Sequence, residues 1–171
     1  MIDNKVHGRV WQFGDGIDTD LMLPMHASLR QPEEQQKFIF EANRPGWVDQ
    51  AEGGDIIVAG RNFGIGSARP AARVLRDFGI AAVVAEGVNG LFMRNAVNFG
   101  LLCMEAPGVL GIFDEMDSAC IHIDSWIVEN ERSGLSVPGR PVPDDLKQLM
   151  LSGGLRRRLE EAGYIAPAPS R

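Results

Sequence analysis

Two groups of residues in this sequence have the types and spacing for acid–base and anion chemistry. Ser67 and Arg69 close a glycine-rich run, Gly60-Arg61-Asn62-Phe63-Gly64-Ile65-Gly66, and Asp18-Thr19-Asp20 ends a turn rich in carboxylates. A serine hydroxyl has a very high pKa and acts as a base only where cations or N–H donors stabilise its alkoxide. An arginine offers a planar fork that grips a carboxylate by two hydrogen bonds. At a helix start, where the first N–H groups lack intrahelical partners, the pair would face an anion. A plainer role for Ser67 is that of helix N-cap, and the two roles are compatible.

The elements that must hold these residues are legible on either side. Asp55-Ile56-Ile57-Val58-Ala59 is short, β-branched and bounded by glycines, which predicts a strand. Ala71 to Phe78 places Val74, Leu75 and Phe78 at helical spacing. The glycine-rich run is therefore a strand-to-helix loop, and Pro70 falls in the first helical turn, where its missing N–H costs little. Gly64 and Gly66 permit backbone conformations that bring main-chain N–H groups close to a ligand, so Gly66 joins the substrate-binding candidates. A dinucleotide fingerprint fits poorly, because Arg69 stands where its third glycine belongs and several residues separate Ala59 from Gly64. The early turn fails as a calcium loop, since Ile17 occupies a position that needs an oxygen ligand. Its Asp and Thr side chains could equally cap their own backbone.

Elsewhere, Gly8 to Phe13 alternates apolar and polar residues as a half-buried strand. Pro32, Glu33 and Glu34 open a helix that carries Phe38 and Ile39 on its apolar side. Ile80 to Ala85 and Leu101 to Met104 read as strands covered on both faces, with a short helix over Leu91 to Phe99 between them. Asp55 to Met104 thus runs strand, helix, strand, helix, strand, which implies a parallel α/β core. Ala119 to Asp124 alternates and Trp126 to Glu129 continues or pairs with it, an antiparallel addition. Gly134 to Pro143 reads as an extended loop, Asp144 to Leu151 and Leu155 to Ala162 as helices, and residues 166–171 as a frayed tail after one domain over residues 1–165.

Composition narrows the functional classes. The 171 residues are 44% hydrophobic and 23% charged, as expected of one soluble domain. A net charge of -6 argues against a nucleic-acid surface, and Arg156-Arg157-Arg158 lies in a helical pattern with Glu160 and Glu161. The N-terminus carries no apolar signal core and no run is long enough to span a bilayer, so a cytoplasmic location is expected. His7, His26 and His122 show no metal-ligand spacing, and only Cys103 and Cys120 supply sulfur.

The order of the motifs is more specific than any one of them. Gly8-Arg9-Val10, Asp18-Thr19-Asp20 with Pro24, Gly54-Asp55-Ile56-Ile57-Val58-Ala59-Gly60, Asn62-Phe63-Gly64-x-Gly66-Ser67-x-Arg69, Arg94-Asn95-Ala96-x-Asn98-x-Gly100-Leu101 and Gly153-Gly154-Leu155 follow in sequence. From about Gly8 to Leu159 this series resembles the small subunits of 3-isopropylmalate dehydratases, the counterpart of the mobile swivel domain of the aconitase superfamily. The resemblance implies a three-layer β/β/α swivelling domain with a small parallel core and added antiparallel strands. It also implies a hydro-lyase that dehydrates a hydroxy di- or tricarboxylate and rehydrates it at the neighbouring carbon. This chain lacks the family's three cluster cysteines, so a 4Fe-4S cluster is expected in a large cysteine-bearing partner subunit and none in this chain.

By position, Ser67 matches the serine that removes the proton α to a carboxylate, Arg69 the arginine that grips a substrate carboxylate, and Asp20 an aspartate of the site rim that orients its neighbours. Ser67-Ala68-Arg69-Pro70 replaces the family's usual Ser-Ser-Arg-Glu, and Gly87-Val88-Asn89-Gly90-Leu91 replaces its Ser-Phe-Ala-Arg-Ile. The specificity loop aligns on Ser28-Leu29-Arg30-Gln31. There Arg30 would suit a homoaconitate-type tricarboxylate, whereas an isopropyl group calls for apolar neighbours.

Overall fold

The computed structural model describes residues 4–167. The organising strand is β1 (Lys5–Phe13), which divides its partners along its length. Its second half, Val10 to Phe13, pairs in parallel with β2 (Ile56–Ala59). Its first half, Lys5 to Arg9, pairs antiparallel with β5 (Ser118–His122). Beyond β2 lie β3 (Ala82–Ala85) and β4 (Leu102–Glu105), both parallel, and beyond β5 lie the antiparallel β6 (Ile127–Asn130) and β7 (Ser136–Pro138). The result is one seven-stranded sheet in the order β4-β3-β2-β1-β5-β6-β7. The parallel core and antiparallel addition expected from the sequence are both present.

Composition explains the contrast between the halves. Every residue of β2 and β3 is buried, so an uninterrupted Ile-Ile-Val-Ala or Ala-Val-Val-Ala run is required. On β6, buried Val128 and Asn130 alternate with exposed Ile127 and half-buried Glu129, because one face meets solvent. Gly8 is needed where β1 changes partners: a Cβ there would stand 2.2 Å from the carbonyl oxygen of Gly54.

Three one-turn helices and two longer ones lie between the first strands. The chain passes through α1 (Thr19–Met22), α2 (Met25–Ser28) and α3 (Pro32–Gln35) before β2, and through α4 (Ala71–Phe78) and α5 (Gly90–Phe99) as the two crossovers. After β7 come α6 (Asp144–Leu151), packed on α5, and α7 (Leu155–Glu161). Gly79 ends α4 in the left-handed conformation, as its position predicts.

Three local expectations are corrected. The helix opened by Pro32 stops at Gln35 and tightens into a 3-10 turn over Gln36–Phe38. Ile39 then turns extended so that Ile39 and Phe40 enter the core, where Phe40 packs on Phe13 and Trp47. Met25 to Ser28, within the Met25 to Gln31 stretch that reads as a loop ended by Pro32, forms α2, and the supposed loop from Gly134 carries β7. Residues 168–171 of the expected tail lie outside the described residues.

Candidate active site

The carboxylate turn and the glycine-rich loop, treated separately in sequence, are zipped together by backbone hydrogen bonds. Gly64 N–H donates to the Ile17 carbonyl at 2.8 Å, Thr19 N–H to that of Ile65 at 2.7 Å, and Gly16 N–H to that of Arg61 at 2.7 Å. The Thr19 hydroxyl reaches the carbonyls of Ile65 (3.1 Å) and Ser67 (2.9 Å), and pins the loop at Ser67. Asp18 caps α1 by accepting from Asp20 N–H at 2.7 Å, so the backbone-capping role holds for this aspartate.

Gly66 is required for that zip. Its φ is +102°, and a Cβ would lie 2.2 Å from Asp18 Oδ1 and 2.9 Å from Thr19 Oγ1. Gly64, at φ +80°, would drive a Cβ into the Phe92 ring. The two glycines therefore let the loop lie flat against α1 and α5.

Ser67 is not the N-cap of α4. That position belongs to Pro70, which has no side-chain capping bond. The Ser67 hydroxyl instead donates to Asp20 Oδ1. The same oxygen accepts an ion-pair contact from Arg69 Nε at 3.0 Å, while Arg69 Nη1 donates to the carbonyl of Leu23 at 2.6 Å and of Asp20 at 3.3 Å. One carboxylate thus aligns a hydroxyl and a guanidinium. The Arg69 side chain is only 16% exposed, so its stem is fixed by protein, whereas Ser67 stands at the surface. Leu21, Met25 and Leu29, on α1, on α2 and just after it, are exposed apolar side chains.

Arg30 is not brought into this group. Its guanidinium lies over the Phe38 ring, 4.8 Å from the centroid, where cation–π attraction holds it. Its backbone is tied by Gln35, a buried residue the sequence did not single out. Gln35 Nε2 donates to the carbonyls of Ser28 (3.1 Å) and Arg30 (2.9 Å), and its Oε1 accepts from Arg73 of α4 at 2.6 Å. No local pattern marks such a tether, because Gln35 reads as an ordinary first-turn polar residue. The sequence also scattered a second group that the sheet assembles: His7, Cys120 and Glu131 meet on β1, β5 and just after β6.

Neither cysteine fits an iron–sulfur cluster, whose ligands are thiolates. Burial, with a smaller effect of Glu105, pushes the Cys103 thiol far above its ordinary pKa. Cys120 sits on β5, four strand spacings from Cys103 on β4, or about 19 Å at the usual spacing.

Residues 22–108 match the aconitase C-terminal domain, a span that holds Arg30, Ser67 and Arg69. The chain belongs to the aconitase C-terminal domain family. Among its family relatives is 3-isopropylmalate dehydratase small subunit 1 of Archaeoglobus fulgidus, 39% identical over 150 residues, 86% of this chain and 92% of that protein. The isopropylmalate/citramalate isomerase small subunit of Methanocaldococcus jannaschii is 34% identical over 158 residues, 91% of this chain and 94% of the other. A crystal structure of a 3-isopropylmalate dehydratase from the same organism superposes with a TM-score of 0.86 at 27% identity, over 94% of this chain and 96% of that one. The family fold is thus shared nearly end to end.

Proposed function

We propose that this chain is the small subunit of a heteromeric 3-isopropylmalate dehydratase, a hydro-lyase that moves a hydroxyl between neighbouring carbons of a substituted malate. The observation that carries the reading is the convergence of Ser67 and Arg69 on one Asp20 oxygen at an open surface. Dehydration next to a carboxylate needs a base at the α-carbon and a cation on the carboxylate, and these two side chains supply that pair. Arg69 Nη2 has no protein partner among the described residues and is the atom left to meet the substrate. Asp20 keeps the hydroxyl and guanidinium aligned, and we give it no proton-transfer role. The positive guanidinium beside Ser67 stabilises the alkoxide that forms when the serine acts as base.

The exposed site calls for a partner that closes it. We assign that role to a large, cysteine-bearing subunit, whose 4Fe-4S cluster would act as the Lewis acid at the departing hydroxyl. The placement of Arg30 favours an alkyl substituent on the substrate. Its charge is already engaged on Phe38, and the exposed side chains of the neighbouring turns are Leu21, Met25 and Leu29. Homoaconitase-type tricarboxylates are the competing reading, and the citramalate named for one relative would present a methyl group to the same surface.

The test is anaerobic turnover by this chain mixed with its large subunit and reconstituted cluster, each component alone serving as control. Activity on 3-isopropylmalate or citramalate exceeding that on homoisocitrate is expected. Activity confined to homoisocitrate would make Arg30 the specificity residue and overturn the alkyl assignment.

A further inference from the structure

The solvent-facing side of the antiparallel half-sheet carries a group with no part in the Ser67 site. Strand register sets His7 of β1 opposite Cys120 of β5, and Cys120 opposite Glu129 of β6. His122, two residues along β5, shares the face, and Glu131 follows the end of β6 beside Ser118. Cys120 is buried although it lies on the outward face, because the longer polar side chains close over it. One donor atom each from His7, Cys120 and Glu131 lies within 4.8 Å of the other two.

The separations suit a small divalent ion. Bonds of about 2.3 Å to sulfur and 2.0–2.2 Å to nitrogen or oxygen place tetrahedral donors about 3.3–3.6 Å apart. Here the His7 ring lies between the other two donors, its Nε2 3.8 Å from the Cys120 sulfur and its Nδ1 3.0 Å from Glu131 Oε1, so a turn of the ring must bring one nitrogen to face both. Shifts of rotamer size suffice to close the set, and the His7 side chain, 54% exposed, is free to make them. The outer contacts are those of an oriented ligand set. The Ser118 hydroxyl donates to the second oxygen of Glu131 at 2.5 Å and leaves the first for the ion.

We propose that Cys120, His7 and Glu131 bind a zinc-type divalent cation, with water in the fourth position. A sulfur, imidazole and carboxylate set selects a borderline-soft metal over magnesium or calcium. The three side chains tie β1 to the end of β6 across β5, at the other end of β1 from Ser67. Binding turns the cysteine thiol into a thiolate and releases its proton to solvent.

Titration of the full chain with cobalt(II), followed by zinc, tests this. A thiolate-to-cobalt charge-transfer band saturating at one equivalent is expected, with zinc displacing it and raising the melting temperature. Cys120→Ser should abolish the band and Cys103→Ala should leave it, since Cys103 is sealed in the core. The paired change of His7→Gln with Glu131→Gln, both at exposed positions, should weaken binding at least about 100-fold and keeps the test independent of how Cys120→Ser folds. Absence of a band at one equivalent, its survival in Cys120→Ser, or unchanged affinity in the paired variant would overturn the proposal.

Discussion

Two of the arginine–aspartate pairs in the molecule, Arg9–Asp55 and Arg69–Asp20, look alike on paper and differ in burial and in how fully the carboxylate is engaged. In Arg9–Asp55 the carboxylate is the hidden partner, 5% exposed against 34% for the arginine; in Arg69–Asp20 it is the open one, 44% against 16%. Asp55 is saturated. Arg9 Nε and Nη2 contact its two oxygens at 3.1 and 2.8 Å, and Trp11 Nε1 (2.6 Å) and Glu52 N–H (2.9 Å) share Oδ2. Burial alone would raise its pKa, but these donors outweigh it and hold the carboxyl below its ordinary range. Asp20 is engaged through one oxygen, by the surface hydroxyl of Ser67 and the guanidinium of Arg69. A saturated pair can only join strands, whereas an unsaturated one keeps capacity for a ligand.

Substitutions should separate the pairs by what they damage. The largest effect is expected for Ser67→Ala, which should lower kcat about 10³-fold, near 4 kcal/mol, with an unchanged melting temperature and normal subunit association. An unaffected rate would remove Ser67 from the chemistry. Next, Asp55→Asn should cost about 3 kcal/mol in urea unfolding at neutral pH, because it leaves Arg9 and Trp11 donors poorly matched. The sign follows from the lowered pKa: the stabilisation is present above the unfolded carboxyl value of about 4 and is lost as pH falls through the folded value. The wild-type advantage should therefore shrink on acidification, and a difference independent of pH would show that the charge of Asp55 is not its source.

Arg69→Lys should raise KM about 30-fold, near 2 kcal/mol, by replacing a fork with a point charge, while Arg9→Lys should alter stability and leave KM alone. Equal kinetic damage from both would erase the distinction between the pairs. The smallest effect, about 1 kcal/mol in stability with a few-fold loss of kcat, is expected for Thr19→Val, which removes the hydroxyl bonds to the carbonyls of Ile65 and Ser67. Full activity with intact stability would mean that the backbone zip alone positions the loop.

Much of this architecture was readable from the chain. The runs at Ile56 to Ala59 and Ala82 to Ala85 declare buried parallel strands, and Val74, Leu75 and Phe78 declare the helix after the site. Ser67, Arg69 and Asp20 stood out by type and by the order of motifs. Their arrangement was not readable, because the bonds that join Thr19 to Ile65 and Ser67 to Asp20 span more than forty residues and have no local signature. The same blindness hid the grouping of His7, Cys120 and Glu131, since only strand register places them side by side. Errors of extent had nearer causes. The helix after Pro32 was read too long because the burial of Ile39 and Phe40 outweighs its periodicity, and the capping role failed because Pro70, not Ser67, adjoins α4.

The division of β1 between two partners also orders events during synthesis. Val10 to Phe13 find Ile56 to Ala59 within the first third of the chain, but Lys5 to Arg9 await Ser118 to His122, more than a hundred residues later. At ribosomal rates of roughly 5–20 residues per second, that leaves the first half of β1 without its partner for about 6–20 s. A nascent chain halted near Glu105 would carry the assembled parallel half with one raw strand edge, so chaperone engagement should peak there and fall once β5 emerges.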